Sequence, residues 1–341
     1  MKKYNVAVVG VGVVGIEMLR VLKQRNFPVN QLKVFARSAR NINVECQTYP
    51  VEQITPDGFN GIDIALFAGT EGEKGAAVTY AAEAVKRGAV VIDNGADFRM
   101  DPKVPLVVPE VNAADVKKHK GIIANPNCST IQMVVALNPI HKKFHIKKII
   151  VTTLQASSGA GKAAVEQLNA ENAQIAQAGF NSVQANVVNK AMPQQLAYNC
   201  FPHIGSFVEG DYTNEEWKLV NETHKIMHAP KIKISATTVR IPVRTGHSES
   251  IYIETEKAVT PDEARKILAK SAGIIVIDEP KNNLYPMPKD AEGRDETFVG
   301  RIRQDAFNKK GLWLWVVADN LRKGAATNAV QIAECLISSS K

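Results

Sequence analysis

A short Val-rich apolar run over residues 4–9 leads into Gly10-Val11-Gly12-Val13-Val14-Gly15, and then into residues 16–25, where apolar positions recur at helical spacing. That order predicts strand, turn and helix, because a strand covered on both faces reads as an apolar run and a surface helix as a stripe of period 3.6. Further strands are predicted at 31–36, 62–68, 89–93 and 121–124, with helices at 76–87 and after residue 128. Strands alternating with helices predict an α/β fold, a Rossmann-type doubly wound parallel sheet. From about residue 147 the pattern changes. Strands at 148–155, 232–243 and 250–255 are longer and alternate more, with helices at 162–177 and 213–228 between them. This predicts a second, α+β domain over 128–319 with a mixed or antiparallel sheet. The first domain then covers 1–127, and a last amphipathic helix within 320–341 returns to pack on it.

Composition narrows the class. The chain has 341 residues, a formal net charge of +8 and only four cysteines, Cys46, Cys128, Cys200 and Cys335. Their wide separation fits neither a zinc site nor a disulfide scaffold, so no metal is expected and a reducing cytoplasm is. No apolar stretch is long enough to span a bilayer. Lys2 and Lys3 before an apolar run imitate a secretory signal, but the glycines that follow favour a first strand. Basic residues are scattered rather than gathered in one strip, which argues against nucleic acid. Local positive charge is enough for an anionic substrate or a phosphorylated cofactor.

The glycine-rich turn follows a strand and opens a helix, the setting in which backbone N–H groups hold a pyrophosphate. Gly10, Gly12, Val13, Val14 and Gly15 are therefore candidate cofactor residues, against the plainer reading of a turn without a ligand. At the end of the second strand an acid would grip a ribose 2′-hydroxyl. The chain instead reads Phe35-Ala36-Arg37-Ser38-Ala39-Arg40. Arg37, Ser38 and Arg40 suit a 2′-phosphate, so NADP is the expected cofactor. Ser157-Ser158-Gly159-Ala160-Gly161-Lys162 lacks the leading glycine and trailing hydroxyl of a nucleotide-triphosphate loop, and is rejected as one.

Reactive chemistry centres on Asn125-Pro126-Asn127-Cys128-Ser129-Thr130. A thiol at the first helical position would sit among freed N–H groups and the positive end of the helix dipole, which favours thiolate. The alternative is a buried Cys packing as a small hydrophobe. A thiol nucleophile needs a proton shuttle, and His247 stands out near the end of a strand with Gly246 beside it. His119, His141, His145, His224 and His228 read as solvated, and His203 as structural.

With these residues in view, the chain resembles aspartate-semialdehyde dehydrogenase over nearly its whole length. The glycine turn, Asn94 to Arg99, Pro126-Asn127-Cys128, Gln155 to Gly159, Glu215-Glu216-Trp217-Lys218 and Arg240 to Glu249 appear in the family's order. The resemblance implies reversible NADP-linked reductive dephosphorylation of L-aspartyl-4-phosphate to L-aspartate 4-semialdehyde, a step toward lysine, diaminopimelate, methionine and threonine. It implies Cys128 as acyl nucleophile, His247 as general acid/base, Gln155 as orienter and Asn127 as support for the acyl oxygen. Arg240 would clamp the substrate carboxylate, Glu215 the ammonium group, and Lys218 with Arg99 the phosphate. Ser158, Gly159 and Asn320 would join the cofactor residues. A homodimer or homotetramer built through the second domain is also implied, with no nucleic-acid or membrane partner. Two departures stand out: Gly12-Val13 where the family carries a small polar residue and alanine, and Glu71 in a loop that is usually small and serine-rich.

The nearest rival is N-acetyl-γ-glutamyl-phosphate reductase, whose acylated substrate nitrogen offers no cation for Glu215. A silent cofactor-binding homologue would have lost the thiol or the histidine, and this chain keeps both. The plain reading of Glu215 and Lys218 is a surface helix pair worth a few tenths of a kcal/mol.

Overall fold

In the computed structural model the chain runs β1 (Tyr4–Val9), α1 (Val13–Gln24), β2 (Val29–Ala36), β3 (Arg40–Val44), β4 (Gln47–Gln53), β5 (Ile64–Phe67), α2 (Ala76–Lys86), β6 (Val90–Asp93), α3 (Pro109–Asn112), β7 (Ile122–Ala124) and α4 (Cys128–Phe144). It continues with β8 (Ile146–Gln155), α5 (Lys162–Ala178), α6 (Asn214–Ile226), β9 (Lys233–Arg240), β10 (His247–Thr255), α7 (Pro261–Leu268), β11 (Ile274–Val276), α8 (Pro288–Ala291), β12 (Thr297–Gln304), β13 (Gly311–Ala318) and α9 (Thr327–Ser338). The structure describes residues 2–69, 75–179, 184, 186 and 191–338. Glu71 lies outside them. Two units result, Met1–Cys128 with Gly324–Lys341, and Ser129–Lys323.

The first unit is built on a seven-stranded sheet of order β3-β4-β2-β1-β5-β6-β7. Its central strands are apolar throughout because both faces are covered. Val6, Val8, Ile64 and Leu66 point into a core shared with Met18, Leu22 and Val330, on the side of α1 and α9. Ala7, Val9, Ala65 and Phe67 point the other way, into a core with Phe59 and the alanines Ala77, Ala81 and Ala84 of α2. Arg25, the C-cap of α1, grips Glu334 on α9 through two 2.8 Å hydrogen bonds. Being half-exposed, that pair contributes at most about 1 kcal/mol; buried apolar contacts hold the helix down.

Not all of this sheet follows the predicted pattern. β3 and β4 form an antiparallel hairpin added at one edge, and sequence reading passed over them. Both alternate polar with apolar residues on a half-covered edge, with burial only at Val44, Tyr49 and Val51.

The second unit carries a six-stranded mixed sheet, β11-β12-β13-β10-β8-β9. Here one face is well covered and strands alternate accordingly, as in β8, where Ile149, Val151, Thr153 and Gln155 are buried between less buried neighbours. Cross-strand register puts Gln155 beside Arg240, Thr153 beside Thr238 and Glu249, and Ala318 beside His247. β11, β12, β13 and α7 lie where no element was expected. The strand expected over 232–243 ends at Arg240, and His247 opens the next strand rather than closing one. Three histidines read as solvated are half-buried: a ring nitrogen accepts from a backbone N–H at His119 and His141, and His224 bonds the Ile232 carbonyl. Among the described residues no helix is long and apolar enough to cross a membrane.

Gly15 is the tightest point of the glycine turn: a Cβ there would lie 1.9 Å from the Gly10 carbonyl oxygen, whereas one at Gly12 meets nothing within 4 Å. Gly10 itself sits at φ +102°. Gly15→Ala should therefore destabilise the fold by about 1–3 kcal/mol and weaken dinucleotide binding. Gly12→Ala should cost much less, and thermal unfolding of the two variants side by side checks this.

Candidate active site

Each unit contributes its own set of candidate side chains. In the first, the turn at Gly10–Gly15 leaves β1 at its carboxyl end, the edge at which doubly wound sheets bind ligands. Arg37, Ser38 and Arg40 follow the end of the neighbouring β2 and are all exposed. Arg40 donates to the carbonyl and hydroxyl oxygens of Ser38, both at 3.2 Å, which draws part of this basic group together. The glycine cradle at this edge fits a nicotinamide dinucleotide, and the loop sets two exposed arginines beside it.

Beyond the ends of β6 and β7 lies Arg99, which is buried. Its Nε donates to the Asn125 carbonyl at 3.0 Å and an Nη to that of Asn94 at 2.8 Å. Asn125 is fixed in turn, its side-chain oxygen accepting from Asn328 at 2.7 Å. This bracing sets the backbone immediately ahead of Asn127 and Cys128. Cys128 is the first residue of α4 and keeps partial exposure, whereas Ser129 to Asn138 are all buried.

In the second unit the remaining candidates converge. α6 begins with a capping box: Thr213 accepts from the Glu216 N–H, and Glu216 accepts from the Thr213 N–H at 2.8 Å. The same Glu216 carboxylate takes the Thr238 N–H of β9 at 3.1 Å, locking the helix start to the sheet. Threonine followed three residues later by glutamate announces such a cap, a signal that sequence reading left unused. The lock delivers Glu215 to the buried face, where it accepts from Gln155 Nε2 at 3.2 Å and pairs with Lys218 at 3.4 Å. Glu215 is only 6 % exposed. The two residues are thus not a loose surface pair.

Arg240 ends β9, is 4 % exposed, and donates to the Ala156 carbonyl. Ser157 and Ser158 donate their N–H groups to Val243 and Arg244, which docks this short loop against the approach to His247. Asn320 completes the dock by accepting from the Gly246 N–H at 2.9 Å while donating to Ser158 Oγ at 2.9 Å. A Cβ on Gly159 would come within 3.0–3.3 Å of the His247 ring and the Arg240 guanidinium, so glycine there is what lets them meet.

His247 is fully buried. Its Nδ1 accepts from the Ala156 N–H at 3.0 Å, and Nε2 has no partner. Burial first, and the neighbouring Arg240 charge second, hold its pKa well below the ordinary value. The ring is therefore neutral, with its proton on Nε2. Sequence reading missed the Ala156 amide, Thr153, Gln132 and Glu249. Glu249 was within reach, since a residue two positions along a strand shares a face with His247.

Comparison with known proteins follows the same division. Residues 5–119 match the family described as "Semialdehyde dehydrogenase, NAD binding domain", and residues 137–323 match "Semialdehyde dehydrogenase, dimerisation domain". An aspartate-semialdehyde dehydrogenase of Aquifex aeolicus is 54% identical, with 98% of each chain covered. The crystal structure of aspartate semialdehyde dehydrogenase II of Vibrio cholerae, complexed with ASA, is 41% identical, with 99% of each chain covered, and has a TM-score of 0.93. A Candida albicans aspartate semialdehyde dehydrogenase with NADP is 25% identical, with 99% of each chain covered and a TM-score of 0.73.

A histidine buried neutral does not affect stability above its unfolded pKa, about 6.5. Below that pH the unfolded chain takes up a proton that the folded chain refuses, so stability falls as pH falls. Relative to His247→Gln, the wild type should lose up to about 1.4 kcal/mol per pH unit below about pH 6.5. Denaturant melts of both proteins across that range measure the difference, and parallel curves would contradict the neutral ring.

Proposed function

The chain belongs to the aspartate-semialdehyde dehydrogenase family, and from that membership we propose that it interconverts L-aspartate 4-semialdehyde plus phosphate with L-aspartyl-4-phosphate, using NADP. The observation that carries this reading is the buried cluster of Gln155, Glu215, Lys218, Arg240 and His247. It presents two cationic groups, Arg240 and the partly buried Lys218, with one carboxylate and a fixed imidazole, where α6 packs on the sheet face of Gln155, Arg240 and His247.

In the oxidative direction Cys128 Sγ, as thiolate, attacks the aldehyde carbon to give a thiohemiacetal. Its position at the start of α4 favours the anion. The carbonyl oxygen gains negative charge as the C–S bond forms. Nε2–H of His247 is the donor for that oxygen, since Nδ1 is committed to the Ala156 amide. On this reading the neutral ring acts first as a hydrogen-bond donor to the developing alkoxide, within its general acid/base role. The Asn127 side chain supports the same oxygen.

When bound, a nicotinamide cofactor would supply the acceptor for the hydride on the former aldehyde carbon. Gly10, Gly12, Val13, Val14 and Gly15 would hold its phosphates, and Arg37, Ser38 and Arg40 a 2′-phosphate; the family resemblance adds Ser158, Gly159 and Asn320 to the residues that would hold it. The resulting Cys128 thioester is attacked by phosphate, the C–S bond breaks, and aspartyl phosphate leaves with the thiolate restored. Lys218 and Arg99 neutralise the incoming phosphate. Arg240 clamps the α-carboxylate through a planar fork, and Glu215 takes the α-ammonium group.

The membership also supports self-association through the second unit. On its less covered sheet face Ile150, Tyr252 and Trp313 lie in one cross-strand row, with Ile150 39 % exposed and the two aromatic rings 5.0 Å apart. We place the dimer contact on this row. Sedimentation should give twice the 37.2 kDa chain mass, and Ile150→Glu should shift it toward the monomer.

One spectrophotometric assay tests the reaction: semialdehyde plus phosphate, with NADP or NAD. NADP should be reduced faster. Cys128→Ala and Cys128→Ser should lose about four or more orders of magnitude in rate while still binding NADP. Arg240→Lys should raise the semialdehyde KM by about tenfold or more. Near-normal turnover in either cysteine variant rules out the thioester route.

A further inference from the structure

The acid that closes the Arg240-to-Glu249 block takes no part in the chemistry above, yet Glu249 has no exposed surface at all. It lies two residues after His247 on β10, opposite Thr153 of β8 and Val316 of β13. Neither of its carboxyl oxygens has a hydrogen-bond partner in place, and the same is true of Oε1 of Gln132. The Gln132 amide is nonetheless the polar group that acts on this carboxyl. Gln132 Nε2 also reaches the His247 carbonyl oxygen at 3.5 Å. Burial pushes the Glu249 pKa well above the ordinary carboxylate value, and the Gln132 amide opposes that shift.

An ionised carboxylate in this position is acceptor-only, and it would leave Gln132 Oε1 as a second buried acceptor facing it. Desolvation alone makes such an arrangement costly. A protonated carboxyl is donor and acceptor at once. Its O–H can be given to Gln132 Oε1 while its carbonyl oxygen takes an N–H from Nε2. One proton then satisfies all three oxygens, and the second N–H of the amide stays directed at the His247 carbonyl.

We propose that Glu249 is a neutral carboxylic acid paired reciprocally with the Gln132 amide, and that this pair is a positioning element for the reaction. It ties β10, which opens at His247, to α4, which opens at Cys128 four residues before Gln132. The pair holds the strand bearing the imidazole in register with the helix bearing the thiol. Glu249 touches no reacting atom. It acts through Gln132, and its kinetic role rests on the function proposed above.

Two measurements test this on the full-length protein. A difference infrared spectrum, wild type minus Glu249→Gln, should show the carbonyl stretch of a protonated carboxylic acid at neutral pH; a carboxylate band instead overturns the proposal. In steady-state assays Glu249→Gln should keep kcat within about threefold, because an amide makes the same reciprocal pair. Glu249→Leu should lower kcat by about tenfold or more with semialdehyde and phosphate KM values within about twofold, and adding Gln132→Leu should cost nothing further. A Gln variant as impaired as the Leu variant, or a Leu variant with normal kcat, each refutes the positioning role. Should Glu249→Leu fail to fold, Glu249→Gln and the infrared band still decide. A wild type inactive on the semialdehyde would defeat the proposed function, while the infrared band would stand or fall on its own.

Discussion

A single backbone amide sets the chemistry of the second unit. Ala156 donates its N–H to Nδ1 of His247 in a place without exposed surface, and that one hydrogen bond decides the tautomer, the ring orientation and which ring nitrogen stays uncommitted. It also explains why so much of the surrounding chain is devoted to holding residues 156–160. Ser157 and Ser158 pair with Val243 and Arg244, Arg240 binds the Ala156 carbonyl, and Asn320 fastens Ser158 to Gly246. Each contact limits the movement of the Ala156 amide relative to the imidazole. Gly159, with no side chain, removes the one steric obstacle.

The buried sheet face has an unusual composition for a protein interior. Gln155, Thr153, Arg240, Glu215, His247 and Glu249 share it or face it, and burying such groups is favourable only where partners are present. For Glu215 the structure supplies them through a local device: a capping box at Thr213 places the residue, and its carboxylate then meets Gln155 and Lys218. Groups held this way would lose little further freedom on binding the zwitterion of the proposed reaction, which is what preorganisation means for a site of this kind. The same enclosure explains the opposite behaviour of two neighbours on β10. Burial disfavours charge on both, so the imidazole gives up a proton that the carboxyl keeps.

The first unit follows a simpler logic. A sheet covered on both faces needs apolar residues at every central position, and its ligand edge needs glycines where backbone must approach closely. Gly15 stands against the Gly10 carbonyl for that reason. Arg99 and Asn328 extend the edge by fixing Asn125, and through it the chain leading to Cys128.

Much of this was readable from the chain. The apolar run of β1, the glycine turn and the strand–helix alternation determined a doubly wound domain, because hydrophobic period and backbone permissiveness act locally. Cys128 behind a proline, and the arginines after β2 in place of an acid, are likewise local statements of chemistry. The edge hairpin β3–β4 escaped because it is short and mostly exposed, and β13 because a near-continuous apolar run reads equally as a buried helix segment, which left its hairpin partner β12 without a frame. What only the tertiary structure decided is which polar groups lose their water together. Nothing near His247 in sequence names the Ala156 amide, and nothing near Glu249 names Gln132; their protonation follows from burial and from partners distant along the chain, quantities that exist only once the chain has closed around them.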